Sequence, residues 1–207
     1  MTDARALLRA VAARLAAAGI ASPQAEARWL VAHACGRRPA ELLTAGDLPA
    51  DRVAPLVARR VAREPLQHIL GTAAFRHIEV AVGPGVFVPR PETELLVDAV
   101  LPALRAAGGA ARPPVAVDLC SGSGALALAL ADEAPSALVL AVERDPAALA
   151  WLRRNTVGGA VRVVAGDACD PGLLAELTAG VDAVVANPPY VPDGTAVAPE
   201  VRHDPSA

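Results

Sequence analysis

The sequence predicts an α/β protein in which a doubly wound parallel sheet follows a small bundle of helices. Two patterns lead to this prediction. After residue 115, short continuous apolar runs alternate with helical stretches, as expected for parallel strands that are buried on both faces. Before residue 72, apolar residues recur at helical spacing. The length of 207 residues allows one large domain or two small ones.

The composition excludes several classes of protein. Apolar residues make up 54% of the chain, which argues against disorder, and the net charge of −3 argues against a strongly basic nucleic-acid binder. The odd count of 3 cysteines, without CxxC spacing, excludes a disulfide framework, and the scattered histidines predict no metal site. The sequence has no apolar run of the ~18–20 residues that a membrane span needs. We therefore expect a cytoplasmic protein.

The N-terminal domain is predicted over residues 1–72 as three or four short helices. The first helix ends near Gly19, the second begins at Ser22-Pro23 and ends near Gly36, and the third runs from Asp51 to Val61. A cluster of arginines is expected on the third helix: Arg59, Arg60 and Arg63. It indicates either a solvated face or a docking surface for an acidic or RNA-bound partner.

A β-hairpin linker is predicted over residues 73–89. Strand-type residues alternate from Phe75 to Val82, Gly83-Pro84-Gly85 breaks the run, and Val86-Phe87-Val88 resumes it. The hairpin turn is therefore expected at the glycines. The third domain, residues 90–207, opens with a helix over 92–107. Its predicted strands are 115–119, 137–142, 161–165 and 181–186, with helices over 124–133, 146–155 and 171–178 between them.

A glycine loop, Cys120-Ser121-Gly122-Ser123-Gly124, joins the first strand to the next helix. Such a loop lets the backbone approach a ligand and presents free N–H groups to an anion. Glu143, at the end of the second strand, suits the hydroxyls of a ribose. A nucleoside-containing cofactor is therefore predicted at the carboxyl edge of the sheet. The alternative is a turn that only caps the helix.

The residue that precedes this loop distinguishes between two cofactors. The carboxylate of Asp118 disfavours a pyrophosphate and suits an ammonium group, so we expect S-adenosylmethionine rather than NAD. Asp167, at the end of the third strand and beside Ala168, is a candidate acceptor for the adenine amino group. A helix N-cap is the other interpretation of Asp167.

The fourth strand ends in Asn187-Pro188-Pro189-Tyr190. The two prolines hold the backbone extended and leave the Pro188 carbonyl as a free acceptor. The side-chain oxygen of Asn187 is a second acceptor, and Tyr190 can pack on a flat group. These features predict a slot for a planar NH₂ group, a carboxamide or an amino-purine, that is positioned for methylation. A proline-stiffened loop without a ligand is the alternative.

These motifs together resemble the class I S-adenosylmethionine-dependent N-methyltransferases. Three further segments resemble the HemK/PrmC family, the peptide chain release factor N5-glutamine methyltransferases: 63–71 (REPLQHILG), 75–76 (FR) and 87–94 (FVPRPETE). The resemblance spans essentially the whole chain. It implies methylation of the glutamine side-chain amide in the Gly-Gly-Gln motif of class I release factors. We expect a monomer that binds neither a membrane nor nucleic acid directly.

The resemblance also implies roles for individual residues. The cofactor would be held by Asp118, Cys120, Ser121, Gly122, Ser123, Gly124, Glu143, Asp167, Ala168 and Asn187. The substrate amide would be held by Asn187 and the Pro188 carbonyl, in a slot completed by Pro189 and Tyr190. Phe87 and Arg90 would shape the mouth of the site, and the helical domain would dock the release factor.

The sequence departs from the family in its loop, in two cofactor positions and in its length. Cys120 stands where Gly is usual, Glu143 where Asp is common, and Ala168 where some members carry an aromatic residue. The chain also stops at Ala207, so that only the first four strands of the family order 3-2-1-4-5-7-6 are present. We expect a truncated chain with an exposed apolar edge strand, poor stability and weak or no activity.

Other functions stay open from the residues alone. One is methylation of a ribosomal-protein glutamine. Another is methylation of adenine N6 in DNA or RNA, although the net charge of −3 counts against it. A remnant that binds cofactor or partner without catalysis is a third, and an NAD-dependent enzyme is a distant fourth.

Overall fold

The computed structural model of the chain describes residues 1–107, 112–177 and 180–189. These residues form two compact units, Met1–Gly71 and a second unit that begins at Thr72. Each unit has a hydrophobic core of its own. Within the described ranges, no helix has the length and apolar character needed to cross a membrane.

The first unit is a helical bundle with a short antiparallel ribbon. Its elements are β1 (Thr2–Asp3), α1 (Ala4–Ala17), α2 (Pro23–Ala34), β2 (Asp47–Leu48), α3 (Ala50–Val61) and α4 (Leu66–Leu70). The Asp3 carboxylate caps α1 by accepting the Ala6 amide at 2.9 Å. Apolar residues at helical spacing, such as Leu7, Val11 and Leu15, face the core. The three predicted helices are confirmed.

The arginine cluster of this unit is engaged in internal bonds. Arg60 is buried, and its Nε lies 2.6 Å from a carboxylate oxygen of Glu26 on α2. Arg63 donates to the carbonyl of Ala18 at 2.6 Å, just beyond the end of α1, and Arg59 pairs with Glu64. The prediction of a solvated face or docking surface is therefore wrong for Arg60 and Arg63. These two side chains tie helices together because acceptors lie opposite them.

The second unit begins with a hairpin of β3 (Thr72–Phe75) and β4 (Ile78–Ala81). Its turn lies at Arg76-His77, where Arg76 has a φ of +51°. The predicted turn at Gly83-Pro84-Gly85 is therefore wrong. Val82, Val86 and Val88 are buried in the same core as the hairpin, which explains the alternation, but residues 86–88 form no strand. The hairpin belongs to the second unit rather than to a separate linker.

A four-stranded parallel sheet forms the centre of the second unit. Its elements are α5 (Glu94–Ala107), β5 (Val115–Leu119), α6 (Ala125–Glu133), β6 (Leu138–Glu143), α7 (Pro146–Asn155), β7 (Val161–Ala165) and β8 (Ala183–Ala186). The strand order is β7-β6-β5-β8. Successive strands are added on one side of β5 as far as β7, and β8 is then added on its other side, so the strand order reverses at β5. The α/β fold class and the first four strands of the predicted order are confirmed. Ligands of such sheets bind at the carboxyl ends of the strands, next to this reversal.

The predicted helix over 171–178 is largely absent in the residues that are described. Only Ala175–Leu177 form a short 3-10 turn. The Asp170 carboxylate accepts the Gly172 amide at 2.8 Å, and Leu174 has a φ of +58°. A side-chain-closed turn and a left-handed residue interrupt the helical path here.

Candidate active site

Three loops meet at the carboxyl edge of the sheet. In the register of the strands, Leu119 of β5 lies beside Val142 of β6 and Ala186 of β8. The residues that follow these positions therefore lie next to each other at one edge. They are the glycine loop 120–124, Glu143 and Asn187. The sequence placed all three at this edge, and the structure brings them together.

The glycine loop turns through three left-handed residues. Cys120 has a φ of +59°, Gly122 of +56° and Gly124 of +85°. For Cys120 this left-handed conformation costs about 1 kcal/mol. A cysteine in place of the usual glycine therefore strains the backbone, besides leaving less space around it. Burial, with the charges of Glu143 and Asp118, raises the pKa of the Cys120 thiol. The thiol is therefore neutral and poorly suited to act as a nucleophile.

Helix α7 packs directly against this loop. A Cβ atom at Gly124 would lie 2.6 Å from Cδ1 of Leu152, whereas a Cβ atom at Gly122 would find its nearest neighbour, Val86, at 3.9 Å. Asn155, the last residue of α7, donates to the Ser123 carbonyl at 2.9 Å. The loop is thus held from one side by the Leu152 side chain and by the side-chain carboxamide of Asn155.

Replacing Gly124 by Ala is expected to destabilise the cofactor-free protein by about 2 kcal/mol, and replacing Gly122 by Ala by about 1 kcal/mol. Both substitutions carry the strain of a left-handed residue, but only the first also overpacks the core. Thermal or denaturant unfolding would measure the difference. In a Leu152→Ala background the extra loss at Gly124 should disappear. Equal losses for the two glycines would contradict this explanation.

Asp118 lies at the end of β5 and is completely buried. Within the described part of the chain, neither of its carboxylate oxygens has a hydrogen-bond partner. Burial raises the pKa of Asp118 to about 7; the nearby Ser121 hydroxyl and Ala127 amide offset part of this rise, and the negative charge of Glu143 adds a smaller increase. A buried carboxylate without a partner is unfavourable, so this site suits a ligand that brings a positive charge.

Glu143 ties the loop to the end of β6. One carboxylate oxygen accepts the Gly122 amide at 2.8 Å, and the other accepts the amides of Arg144 and Asp145, each at 2.8 Å. A carboxylate has about four acceptor positions, so one is left for a ligand hydroxyl. The longer side chain is what allows Glu143 to reach the loop and its own turn together. The sequence indicated a ligand role for Glu143 but not this one.

Asp167 has local partners at the end of β7. Its carboxylate accepts the Cys169 amide at 2.9 Å and pairs with Arg144 at 3.1 Å. The Cys169 amide, followed by the Arg144 guanidinium, lowers the pKa of Asp167. The helix N-cap interpretation is wrong, because the residues after Asp167 form a turn. Ala168 beside it is exposed and open to a ligand.

The segment after β8 lies beside the start of the glycine loop. Asn187 is half-buried, and its Nδ2 lies 3.5 Å from Oγ1 of Thr93. Pro188 and Pro189 are exposed, so their surroundings are open to a substrate. Tyr190 falls outside the described residues.

A second wall of the site comes from the segment between β4 and α5. The guanidinium of Arg90 lies over the ring of Phe87, 5.1 Å from its centroid, and both residues are half-buried. The sequence missed two residues nearby, Thr93 and Asn155. Thr93 lies inside the 87–94 motif and was detectable there. Asn155 was assigned only as a helix end, and no local pattern marks its contacts.

Comparison with known proteins identifies the family of the chain. Residues 6–71 match the family described as the PrmC N-terminal domain, and residues 79–204 match the methyltransferase small domain. A release factor glutamine methyltransferase of Mycolicibacterium smegmatis is 48% identical over 210 residues, which cover 100% of this chain and 73% of the relative. The chain belongs to the release factor glutamine methyltransferase family. The family resemblance and the enzyme class that were predicted from the sequence are thereby confirmed.

Two other relatives show which named activities occur among proteins similar to this chain. The release factor glutamine methyltransferase of Streptomyces coelicolor is 51% identical, over 93% of this chain and 68% of the relative. A protein of Streptomyces pristinaespiralis is 46% identical, over 93% of this chain and 67% of the relative. The latter is named 4-amino-L-phenylalanine/4-methylamino-L-phenylalanine methyltransferase. Proteins similar to this chain are thus named for two kinds of substrate, and both carry an NH₂ or NH group on a planar system.

Proposed function

We propose that this chain methylates the side-chain amide nitrogen of the glutamine in the Gly-Gly-Gln motif of class I release factors, with S-adenosylmethionine as the methyl donor. The observation that carries the proposal is the register of β8 on β5. It sets Asn187, the candidate amide acceptor, beside the glycine loop, the candidate cofactor cradle. Relatives named as release factor glutamine methyltransferases support the choice of substrate.

The residues around the loop fit this cofactor. Asp118 would balance its ammonium group, and the remaining acceptor position of Glu143 would take a ribose hydroxyl. Asp167 and Ala168 would meet the adenine. When bound, the cofactor supplies a methyl group on a positively charged sulfur, and transfer of that group to nitrogen leaves a neutral thioether and one proton.

The residues after β8 would orient the acceptor nitrogen. The side-chain oxygen of Asn187 and the carbonyl of Pro188 are acceptors for the two hydrogens of an amide, and Tyr190 would pack on its plane. An amide nitrogen is a poor nucleophile, so most of the acceleration must come from orientation and electrostatics. The exposed prolines leave solvent access for the released proton. Phe87 and Arg90 would line the approach of the loop that carries the glutamine.

We assign docking of the release factor to the first unit, Met1–Gly71. The match of residues 6–71 to the PrmC N-terminal domain supports this assignment. The arginines Arg60 and Arg63 do not contribute a docking surface, because they bind Glu26 and Ala18 inside the unit.

The test is transfer of a labelled methyl group to a purified class I release factor. We expect label on the intact factor and none on a factor whose Gly-Gly-Gln glutamine is replaced by Ala. Label that persists on the Ala factor would overturn the assignment of the glutamine. No label on the factor, with label on ribosomal protein or on DNA or RNA, would favour those substrates instead.

A second candidate function is N-methylation of a small aromatic amine. The relative from Streptomyces pristinaespiralis, whose name gives such a substrate, favours it. An aromatic NH₂ group is planar and would use the same acceptors as an amide. In the same assay, turnover of 4-amino-L-phenylalanine above that of the release factor would favour this function. The release-factor proposal expects the reverse order.

A further inference from the structure

The side chain of Asn187 faces a choice of orientation. Its carboxamide has an acceptor end, Oδ1, and a donor end, Nδ2. Only the acceptor end can hold the NH₂ group of an amide substrate. If the carboxamide turned over, Nδ2 would face the substrate nitrogen, and two donors would oppose each other. A group that fixes this orientation is therefore part of the machinery of the reaction.

The neighbour of the donor end is Thr93. Its Oγ1 lies 3.5 Å from Nδ2 of Asn187, at the outer limit of a hydrogen bond. Hydrogen bonds in sites without substrate are commonly long and shorten when the substrate binds. With Nδ2 directed at Thr93, Oδ1 is the end that is left for a substrate.

Thr93 is itself held in place. Its amide donates to the Arg90 carbonyl at 3.0 Å in the short 3-10 turn Pro91–Thr93. The next residue, Glu94, accepts the Arg76 amide at 3.0 Å through its carboxylate and is also bonded to the Arg76 guanidinium through its carbonyl. That guanidinium pairs with Asp98 of α5 and Glu133 of α6. The turn that carries Thr93 is therefore anchored to two helices and to the hairpin.

We propose that Thr93 is a positioning residue that fixes the carboxamide of Asn187 with its oxygen towards the substrate amide. The inference rests on the proposed function, since it needs an NH₂ group as the substrate. It adds a residue, and a reason for its hydroxyl, to the acceptors described above.

Kinetics of two variants would test the role of the hydroxyl. Thr93→Val keeps the shape of the side chain and removes the hydroxyl, whereas Thr93→Ser keeps the hydroxyl and removes a methyl group. We expect kcat for methylation of the release factor to fall about tenfold in Thr93→Val, which corresponds to about 1.4 kcal/mol and lies within the range of one hydrogen bond. KM for the factor and the melting temperature should change little. Thr93→Ser should restore most of the lost kcat.

A readout that needs no turnover separates this inference from the proposed function. The side-chain NH₂ signal of Asn187 in a ¹H–¹⁵N spectrum, assigned by its absence in Asn187→Asp, should shift in Thr93→Val and not in Thr93→Ser. Unchanged kcat in Thr93→Val, or equal losses in both variants, would overturn the inference. If the wild type does not methylate the factor, the proposed function fails, and the spectrum alone decides whether Thr93 holds Asn187. An unshifted signal would then overturn the inference as well.

Discussion

Replacing Asp118 by Asn is expected to favour the cofactor-free protein at pH 8 by about 4 kcal/mol more than the same substitution does at pH 3. The carboxylate is fully buried without a hydrogen-bond partner among the described residues, and its pKa rises from 3.8 to about 7. Between these two values the folded protein holds a proton that the unfolded chain has released. Stability is therefore lost as the pH rises through that window. The neutral amide does not pay this penalty at any pH.

Melting curves at several pH values would measure this effect. The pH-dependent part of the gain in stability from Asp118→Asn should shrink to less than half at pH 5 and vanish near pH 3. Asp167→Asn is the matched control, because the pKa of Asp167 is lowered by the Cys169 amide and Arg144. Asp167→Asn should make the protein less stable than the wild type. The loss should appear as the pH rises above the pKa of the native carboxyl, because only the ionised carboxylate makes these bonds at full strength. A gain for Asp118→Asn that is equal at pH 5 and pH 8 would contradict the buried-charge explanation.

The same substitution should weaken cofactor binding. In the wild type, affinity for S-adenosylmethionine is expected to increase from pH 6 to pH 7, as Asp118 ionises and can pair with the cofactor ammonium. Isothermal titration should show this slope in the wild type and lose it in Asp118→Asn. If affinity depended on pH equally in the two proteins, Asp118 would not interact with the ammonium group of the cofactor.

Replacing Asn187 by Ala is expected to lower kcat for the release factor by 10²–10³-fold, at the scale of losing one preorganised polar contact to the reacting group. In the proposed site the variant would lose one of the two acceptors that orient the amide hydrogens, and the remaining Pro188 carbonyl would not fix the amide alone. We expect the affinity for the cofactor to change by a smaller factor. Initial rates with saturating cofactor and factor would measure kcat.

The control for this variant is Pro188→Ala. It keeps the main-chain carbonyl at that position, removes the stiffness of the ring and adds a backbone N–H, and its loss should be about tenfold or less. A kcat for Asn187→Ala within threefold of the wild type would remove Asn187 from the machinery. An equal and large loss in both variants would assign the effect to the backbone of the segment rather than to the carboxamide.

The strands and the position of the site were predictable because their signals are local. β5, for example, is a continuous apolar run that ends in an acid and a glycine loop, and these features need no distant partner. Parallel strands then bring their carboxyl ends to one edge by topology alone. Glu143 and Asn187 could therefore be placed together from the sequence.

The features that the sequence did not reveal depend on distant partners. The hairpin turn at Arg76 contains no glycine or proline, and it is stabilised by Glu94, Asp98 and Glu133 from two helices. Arg60 is buried because Glu26 lies opposite it, 34 positions away in the chain. Such contacts exist only after the fold has formed, so no local pattern predicts them.

The carboxamide of Asn155 connects the parts of the proposed site that would bind the two ligands. It accepts the Ala81 amide, donates to the Ala81 carbonyl and donates to the Ser123 carbonyl, each at 2.9 Å. One side chain thus joins the end of β4, which leads to Phe87 and Arg90, to the loop that would cradle the cofactor. A ligand that shifted the loop would act on the end of β4 through this side chain, and such coupling would be reciprocal. Saturation with the cofactor would therefore raise the affinity for the substrate, and saturation with the substrate would raise the affinity for the cofactor.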